Sequence, residues 1–222
     1  MNYYNKEALE KNNEYLNKFL NQIMKYHFGI ELAPKQSDVL RIMLFNKYSM
    51  LIHGKGTGAT FLLSVLGMLY KLMNSHIRMA VVGEPVRQAE LLIETGFNKL
   101  KKKSAVDYSN VDVISIDKVF VDTDYDLVLL DEITEISDAQ VDAIIEQINH
   151  NTKPKIVASC VGYRPYYPIQ RLMTVVYSKG ESICMSCEDM PKDWYDEKYM
   201  EKAKKQFKFK EEFDMEYKCT IV

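Results

Sequence analysis

Met50-Leu51-Ile52-His53-Gly54-Lys55-Gly56-Thr57-Gly58-Ala59-Thr60-Phe61 is the stretch on which the reading of this chain turns. An apolar run passes into three alternate glycines, a hydroxyl pair and then a second apolar run. Glycine takes backbone angles closed to other residues. Gly54, Gly56 and Gly58 can therefore aim successive amides at one anion, with the dipole of a helix N-terminus behind them. The pattern predicts a phosphate-binding loop between a strand and a helix. Against the usual G-x-x-x-x-G-K-[ST] spacing, Gly58 and Thr60 fall in place, while His53 stands at the first glycine and Ala59 at the lysine. An ordinary tight strand-to-helix connection has the same outline, so the loop needs a second signal.

Leu127-Val128-Leu129-Leu130-Asp131-Glu132 supplies it. An apolar run that ends in two acids is how a buried parallel strand delivers carboxylates to the C-terminal edge of a sheet, where ligands bind in open α/β folds. In that reading Thr60 and Asp131 hold Mg²⁺, and Glu132 orients and deprotonates an attacking water. The chain between the two motifs has room for a strand, its helix and a further strand.

Composition narrows the class. With 222 residues, 47% of them hydrophobic, the chain can bury a substantial core. No run approaches the roughly 18 apolar residues of a membrane span, and the residues after Met1 lack the apolar core of a signal peptide. The expected compartment is cytoplasm, where the four cysteines stay reduced. Cys184 and Cys187 form one C-x-x-C pair with no second pair to complete a zinc site, so two strand thiols are expected. A net charge of −2 leaves any nucleic-acid contact to local basic faces.

The rest of the chain alternates helical and extended patterns. Residues 6–25 carry apolar positions at helical spacing, which suits either packing on the core or docking on a partner. Pro34 and Ser37 mark a second helix start. Gln36, just ahead of the loop's strand, is either a reader of adenine's N6/N7 edge or a solvated residue of a helix first turn. Ile77 to Gly83 reads as a strand, and Pro85 to Lys103 as a helix whose terminal lysines form a solvated, dipole-favoured end. Residues 112–116 alternate polar and apolar. Ser137 should cap the helix to Asn149, and Lys155 to Cys160 is the next strand. Val175 to Cys187 reads as one or two short strands, and residues 192–222 as mostly helical, more plainly salt-bridged than nucleic-acid-binding. Strands alternating with helices predict a mostly parallel sheet covered on both faces.

These motifs together resemble the N-terminal ATPase half of a bacteriophage large terminase. That family has loops of the form G-G-R-G-S-G-K-S, which His53 to Thr60 matches with Lys55 at the arginine and Ala59 at the lysine. Pro34-Lys35-Gln36, Arg87-Gln88-Ala89, the strand ending Asp131-Glu132, the segment around Ser159 and the tail Phe213 to Cys219 match other family elements. The resemblance implies a P-loop NTPase of the ASCE, RecA-like kind: a helical segment over 1–33, an ATPase core over 34–168 and a C-terminal lid or linker subdomain over 169–222. No nuclease domain is expected in this chain.

It also implies ATP and Mg²⁺ as cofactors and the loop residues Gly54, Lys55, Gly56, Thr57, Gly58, Ala59 and Thr60, with Gln36, at the nucleotide. Lys55 replaces the missing loop lysine, and Ser159 senses the γ-phosphate and couples its loss to the following loop. An arginine finger from a neighbouring subunit has Arg87, Arg164 and Arg171 as candidates. The implied partners are double-stranded DNA, a portal, a small terminase subunit, further copies in a ring on the capsid, and a nuclease domain or chain supplied elsewhere, with no membrane partner. The implied place is the cytoplasm of an infected host. A helicase-like or remodelling ATPase, and a nucleotide-binding module with impaired hydrolysis, are the alternatives; the second is kept open by Ala59.

Overall fold

The strands with the longest apolar runs are buried at every position because helices cover both faces of the sheet they form. The computed structural model describes residues 6–83, 86–98, 110–121, 124–162, 167–195 and 197–219. Its strands are β1 (Tyr48–His53), β2 (Met79–Gly83), β3 (Val111–Ile114), β4 (Leu127–Asp131), β5 (Lys155–Val161) and β6 (Glu181–Met185). All pair in parallel, in the order β3-β2-β4-β5-β1-β6.

Successive side chains on a strand point to opposite faces, and the two cores divide accordingly. Leu51, Val81, Leu129 and Val157 face α1 (Lys6–Phe28), α2 (Pro34–Phe45), α3 (Ala59–Met73) and α4 (Val86–Leu92). Met50, Val82, Leu130 and Ala158 face α5 (Ile116–Val119), α6 (Asp138–Asn149) and α7 (Tyr167–Lys179). Beyond β6 come α8 (Glu197–Lys204) and α9 (Lys210–Lys218), gathered around a small cluster of Cys187, Ala203, Phe213 and Tyr217. Among the described residues no helix is long and apolar enough to cross a membrane.

Local signals set the helix ends. Ser137 caps α6 by accepting from the Gln140 N–H at 3.3 Å, and Gln140 accepts from the Ser137 N–H at 2.9 Å. This reciprocal pair satisfies two amides that the first turn leaves over. Helix α1 buries Leu20, Met24 and Phe28 while Tyr15, Phe19 and Tyr26 stay exposed. Its polar face is tied to α2, with Asn17 donating to Asp38 at 2.8 Å and Asn21 to Ser37 at 2.7 Å.

Two sequence expectations are corrected here. Residues 175–179 finish α7 and only Glu181–Met185 is strand. Val175 and Val176 favour strands, but Ile169, Leu172 and Val176 recur at helical spacing and pack on the α6 side of the sheet. Of the two expected strand thiols, Cys184 is on β6, while Cys187 begins a single 3-10 turn, Cys187–Asp189, which Ser186 caps by accepting from the Glu188 N–H. Because β6 pairs with β1, this part of residues 169–222 lies in the sheet layers, and Met190 and Cys219 after it join the two cores.

Lys155 opens β5 inside the protein. Its ammonium donates to the Leu44 carbonyl at 3.2 Å and to that of Asn46, at the end of α2, and lies 5.6 Å from the Tyr70 ring centroid. Burial lowers its pKa from 10.5 to about 8. The unfolded chain therefore holds this proton to higher pH than the folded one, so folding stability should rise as pH climbs through that window. Lys155→Met should lack the rise. Denaturant titrations at about pH 7.5 and 9.5 should show the wild type gaining roughly 1–2 kcal/mol relative to the variant; equal gains would show that Lys155 titrates alike in both states.

Candidate active site

The loop between β1 and α3 divides its amides between the protein and an open side. The Gly54 N–H donates to Met185 O at 2.8 Å, the Lys55 N–H to Glu216 O at 2.7 Å and the Thr57 N–H to Gly54 O at 3.3 Å. Gly58 is the N-cap of α3, and Ala59 and Thr60 begin its first turn, whose amides have no intrahelical acceptor and favour an anion. Gly56 and Gly58 sit at φ +79° and +86°, left-handed angles that cost an L-residue about 1–2 kcal/mol. The buried Thr57 hydroxyl braces the turn by donating to Gly54 O at 2.8 Å.

Gln36 is not a solvated residue of the first turn. It is buried, its Oε1 accepts from the Ala33 N–H at 3.1 Å, and its Nε2 donates to Thr57 O at 2.9 Å. The amide thus links the start of α2 to the loop, and it packs 3.1 Å from where a Cβ on Gly58 would lie. It is a brace of the cradle in this structure.

Across β5, Asp131 ends β4 fully buried. Ser159 donates to its Oδ1 at 2.7 Å and Gln88 to its Oδ2 at 3.2 Å. Desolvation raises the Asp131 pKa, opposed by the hydrogen bonds from Ser159 and Gln88. Thr60, in the first turn of α3, lies beside this carboxylate. A buried carboxylate beside a hydroxyl at a phosphate loop fits Mg²⁺, which takes one or two protein oxygens plus waters and substrate phosphates. Among the described residues no group of three or more His, Cys, Asp and Glu gathers around a metal position.

Glu132 departs from ordinary backbone geometry, at φ 57° and ψ 50°. A non-glycine residue in this region costs on the order of 1–3 kcal/mol and persists where the surroundings fix it. Here the Glu132 N–H donates to Ser159 Oγ at 3.1 Å, while Oε1 accepts from Thr134 Oγ1 at 2.6 Å and from the Val161 N–H at 3.3 Å. Ser159 is buried, its hydroxyl donating to the Asp131 carboxylate and accepting from the Glu132 N–H. One hydroxyl on β5 thus ties the Asp131 carboxylate to the backbone of Glu132.

No protein-family model matches the sequence, and no curated protein matches it. Among solved structures, the large terminase of a thermophilic bacteriophage in complex with ADP superposes with a TM-score of 0.62 at 12% identity, over 86% of this chain and 54% of that one. A second crystal form of that terminase gives 0.63 at 11%, over 85% and 53%. The fold is shared with the matched part of that terminase. A hypothetical ATP-dependent RNA helicase from Sulfolobus tokodaii gives a TM-score of 0.46 at 13% identity, over 78% of this chain and 57% of that one. The chain spans about half the length of the terminase structures it matches, and the six-stranded parallel sheet with its loop after β1 is a P-loop NTPase fold.

Within this fold the tail lies on the loop. The Lys55 ammonium, 49% exposed, pairs with the Glu216 carboxylate, and the Lys55 carbonyl accepts from Tyr195 Oη at 2.9 Å. A Cβ on Gly54 would lie 2.1 Å from Tyr217 O, so only glycine admits α9 at this distance. Of the finger candidates, Arg87 is exposed and pairs with Glu90 and Glu94 on its own helix and the turn that follows. Arg171 pairs with Asp138 and Asp142 of α6. Arg164 lies outside the described residues, as do Lys99 and Lys101 to Lys103.

Thr134, Gln88, Tyr195 and Glu216 were not picked out as site residues in the sequence. Gln88 and Glu216 lie inside segments that carried the resemblance, whereas Thr134 and Tyr195 give no sequence signal.

Proposed function

We propose that this chain is the ATP-hydrolysing unit of a viral DNA-packaging motor, acting as one of a ring of copies that moves double-stranded DNA through a portal into a capsid. The observation that carries this is the pair Asp131 and Glu132, joined by Ser159 and set beside Thr60 at the open end of the loop. In the reading, the amides of Gly58, Ala59 and Thr60 take the phosphates, and Thr60 and Asp131 would hold Mg²⁺, which would neutralise charge on the β- and γ-oxygens. Glu132 accepts a proton from the water whose oxygen bonds to the γ-phosphorus, as the bond to the β–γ bridging oxygen breaks and ADP leaves with its electron pair. Lys55, released from Glu216, supplies the cationic side chain that Ala59 cannot.

The resemblance adds the partners: a small terminase subunit, a nuclease supplied by another domain or chain, and an infected host's cytoplasm as the place of action. A finger from a neighbouring copy makes the site complete only in the ring. A second reading, a nucleotide-binding module with slow turnover, is favoured by Ala59 and by the engagement of Lys55 with Glu216.

Phosphate release from ATP with Mg²⁺, measured against protein concentration and with and without duplex DNA, separates the readings. The motor reading expects turnover that rises with concentration and with DNA. Nucleotide bound without release in either series would leave the binding module.

A further inference from the structure

His53 stands at the place of the loop's first glycine, and its ring is only 6% exposed. Its Nδ1 lies 3.3 Å from the carbonyl oxygen of Gly54. Among the described residues its Nε2 has no hydrogen-bond partner, and it lies 3.5 Å from Glu132 Oε2. A buried ring nitrogen left idle costs free energy, and such groups call for an explanation.

The topology makes the approach more telling. Strands β1 and β4 are not neighbours; β5 runs between them. A side chain at the end of β1 reaches Glu132 only by crossing the end of β5, which a glycine at position 53 could not do. The other carboxylate oxygen, Oε1, is already held by Thr134 and the Val161 N–H. Oε2 is thus the oxygen left to take a proton, and His53 flanks it.

We infer that His53 is a positioning residue for Glu132, fixing the rotation of its carboxylate from the β1 side while Thr134, in the turn after β4, and the Val161 N–H of β5 fix it from the other. The inference rests on the ATPase reading for its catalytic consequence, though the pairing itself does not. Acting through Glu132, His53 should affect kcat with little effect on KM for ATP, since the loop amides that take the phosphates are untouched. A ring that merely fills space at position 53 would show no such selectivity.

The test is a double-mutant cycle on the full chain with ATP and Mg²⁺, using His53→Ala, Glu132→Gln and the double variant. His53→Ala should lower kcat about 10- to 100-fold, the scale of a misaligned catalytic group. The double variant should be no slower than Glu132→Gln alone, because a residue acting through Glu132 has nothing left to position. His53→Gln, whose amide nitrogen can occupy the Nε2 place, should recover part of the loss. Multiplying effects in the double variant, or His53→Ala with wild-type kcat, would overturn the inference.

Imidazole ¹⁵N shifts supply a readout without turnover. Glu132→Gln should move the His53 Nε2 resonance and leave those of His27, His76 and His150 in place. A resonance that stays put refutes the pairing, even if the alanine variant fails to fold. A moved resonance in a protein that hydrolyses no ATP would sink the ATPase reading and keep the pairing.

Discussion

Glu132→Gln is expected to lower ATP turnover by about 10² or more, within the 10²–10⁴ attributed to general acid–base catalysis, while nucleotide affinity changes by no more than a few fold. The structure gives this prediction a specific form. Glutamine can keep the left-handed backbone at position 132 and its N–H bond to Ser159, and its amide oxygen can still accept from Thr134 and from the Val161 N–H. What it cannot do is take a proton. Folding should therefore be little changed, and the deficit should lie in kcat. Single-turnover phosphate release together with a thermal melt decides the matter. Unchanged turnover would move the base elsewhere, and a large loss of stability would show that the carboxylate holds the edge of the sheet together.

Lys55→Ala is expected to remove most of the hydrolysis, on the order of 10³, by analogy with the 10³–10⁵ that a cationic finger contributes in related reactions. Two magnitudes separate this from a folding effect. The ion pair with Glu216 has Lys55 half exposed, and exposed pairs contribute about 0–1 kcal/mol to stability. A thousandfold loss of rate corresponds to about 4 kcal/mol of transition-state stabilisation. The ion pair with the tail is too weak to account for it. Restoring a lysine at its usual place, as Ala59→Lys in the Lys55→Ala background, should recover part of the rate, and Glu216→Gln should release Lys55 and raise the rate. Steady-state rates of the four proteins are the measurement. A Lys55→Ala protein as fast as the wild type would show that this lysine serves only to hold α9.

The parts of the fold that were legible in the sequence are those whose information is local. Met50 to Ile52 and Leu127 to Leu130 read as buried strands because burial on both faces needs an unbroken apolar run. The glycines at 56 and 58 read as a loop because their backbone angles are closed to other residues. Ser137 announced its helix through one side chain and one amide. What failed to show depended on partners far along the chain. The Thr57 carbonyl that meets the Gln36 amide, and the Asp131 carboxylate and Glu132 N–H that meet the Ser159 hydroxyl, lie 21 to 28 residues away in the chain. Val175 and Val176 favour strand by shape, yet the helix at Tyr167–Lys179 won because it buries Ile169, Leu172 and Val176 against the sheet. The contact between His53 and Glu132 crosses an intervening strand, so no spacing rule could have found it.

The engagement of α9 with the phosphate loop bears on how the protein is made. The ribosome delivers β1 and its glycines early, but the acceptors of the Gly54 and Lys55 amides, Met185 and Glu216, emerge long after them. Until they arrive, two backbone donors at the centre of the cradle must be satisfied by water, because a buried amide without a partner is costly. The nascent sheet can assemble from β1 to β5 beforehand, yet the cradle takes its final shape only when α9 closes over Gly54. A chain cut short of Glu216 would carry every glycine of the loop without the acceptor that the Lys55 amide meets in the finished fold.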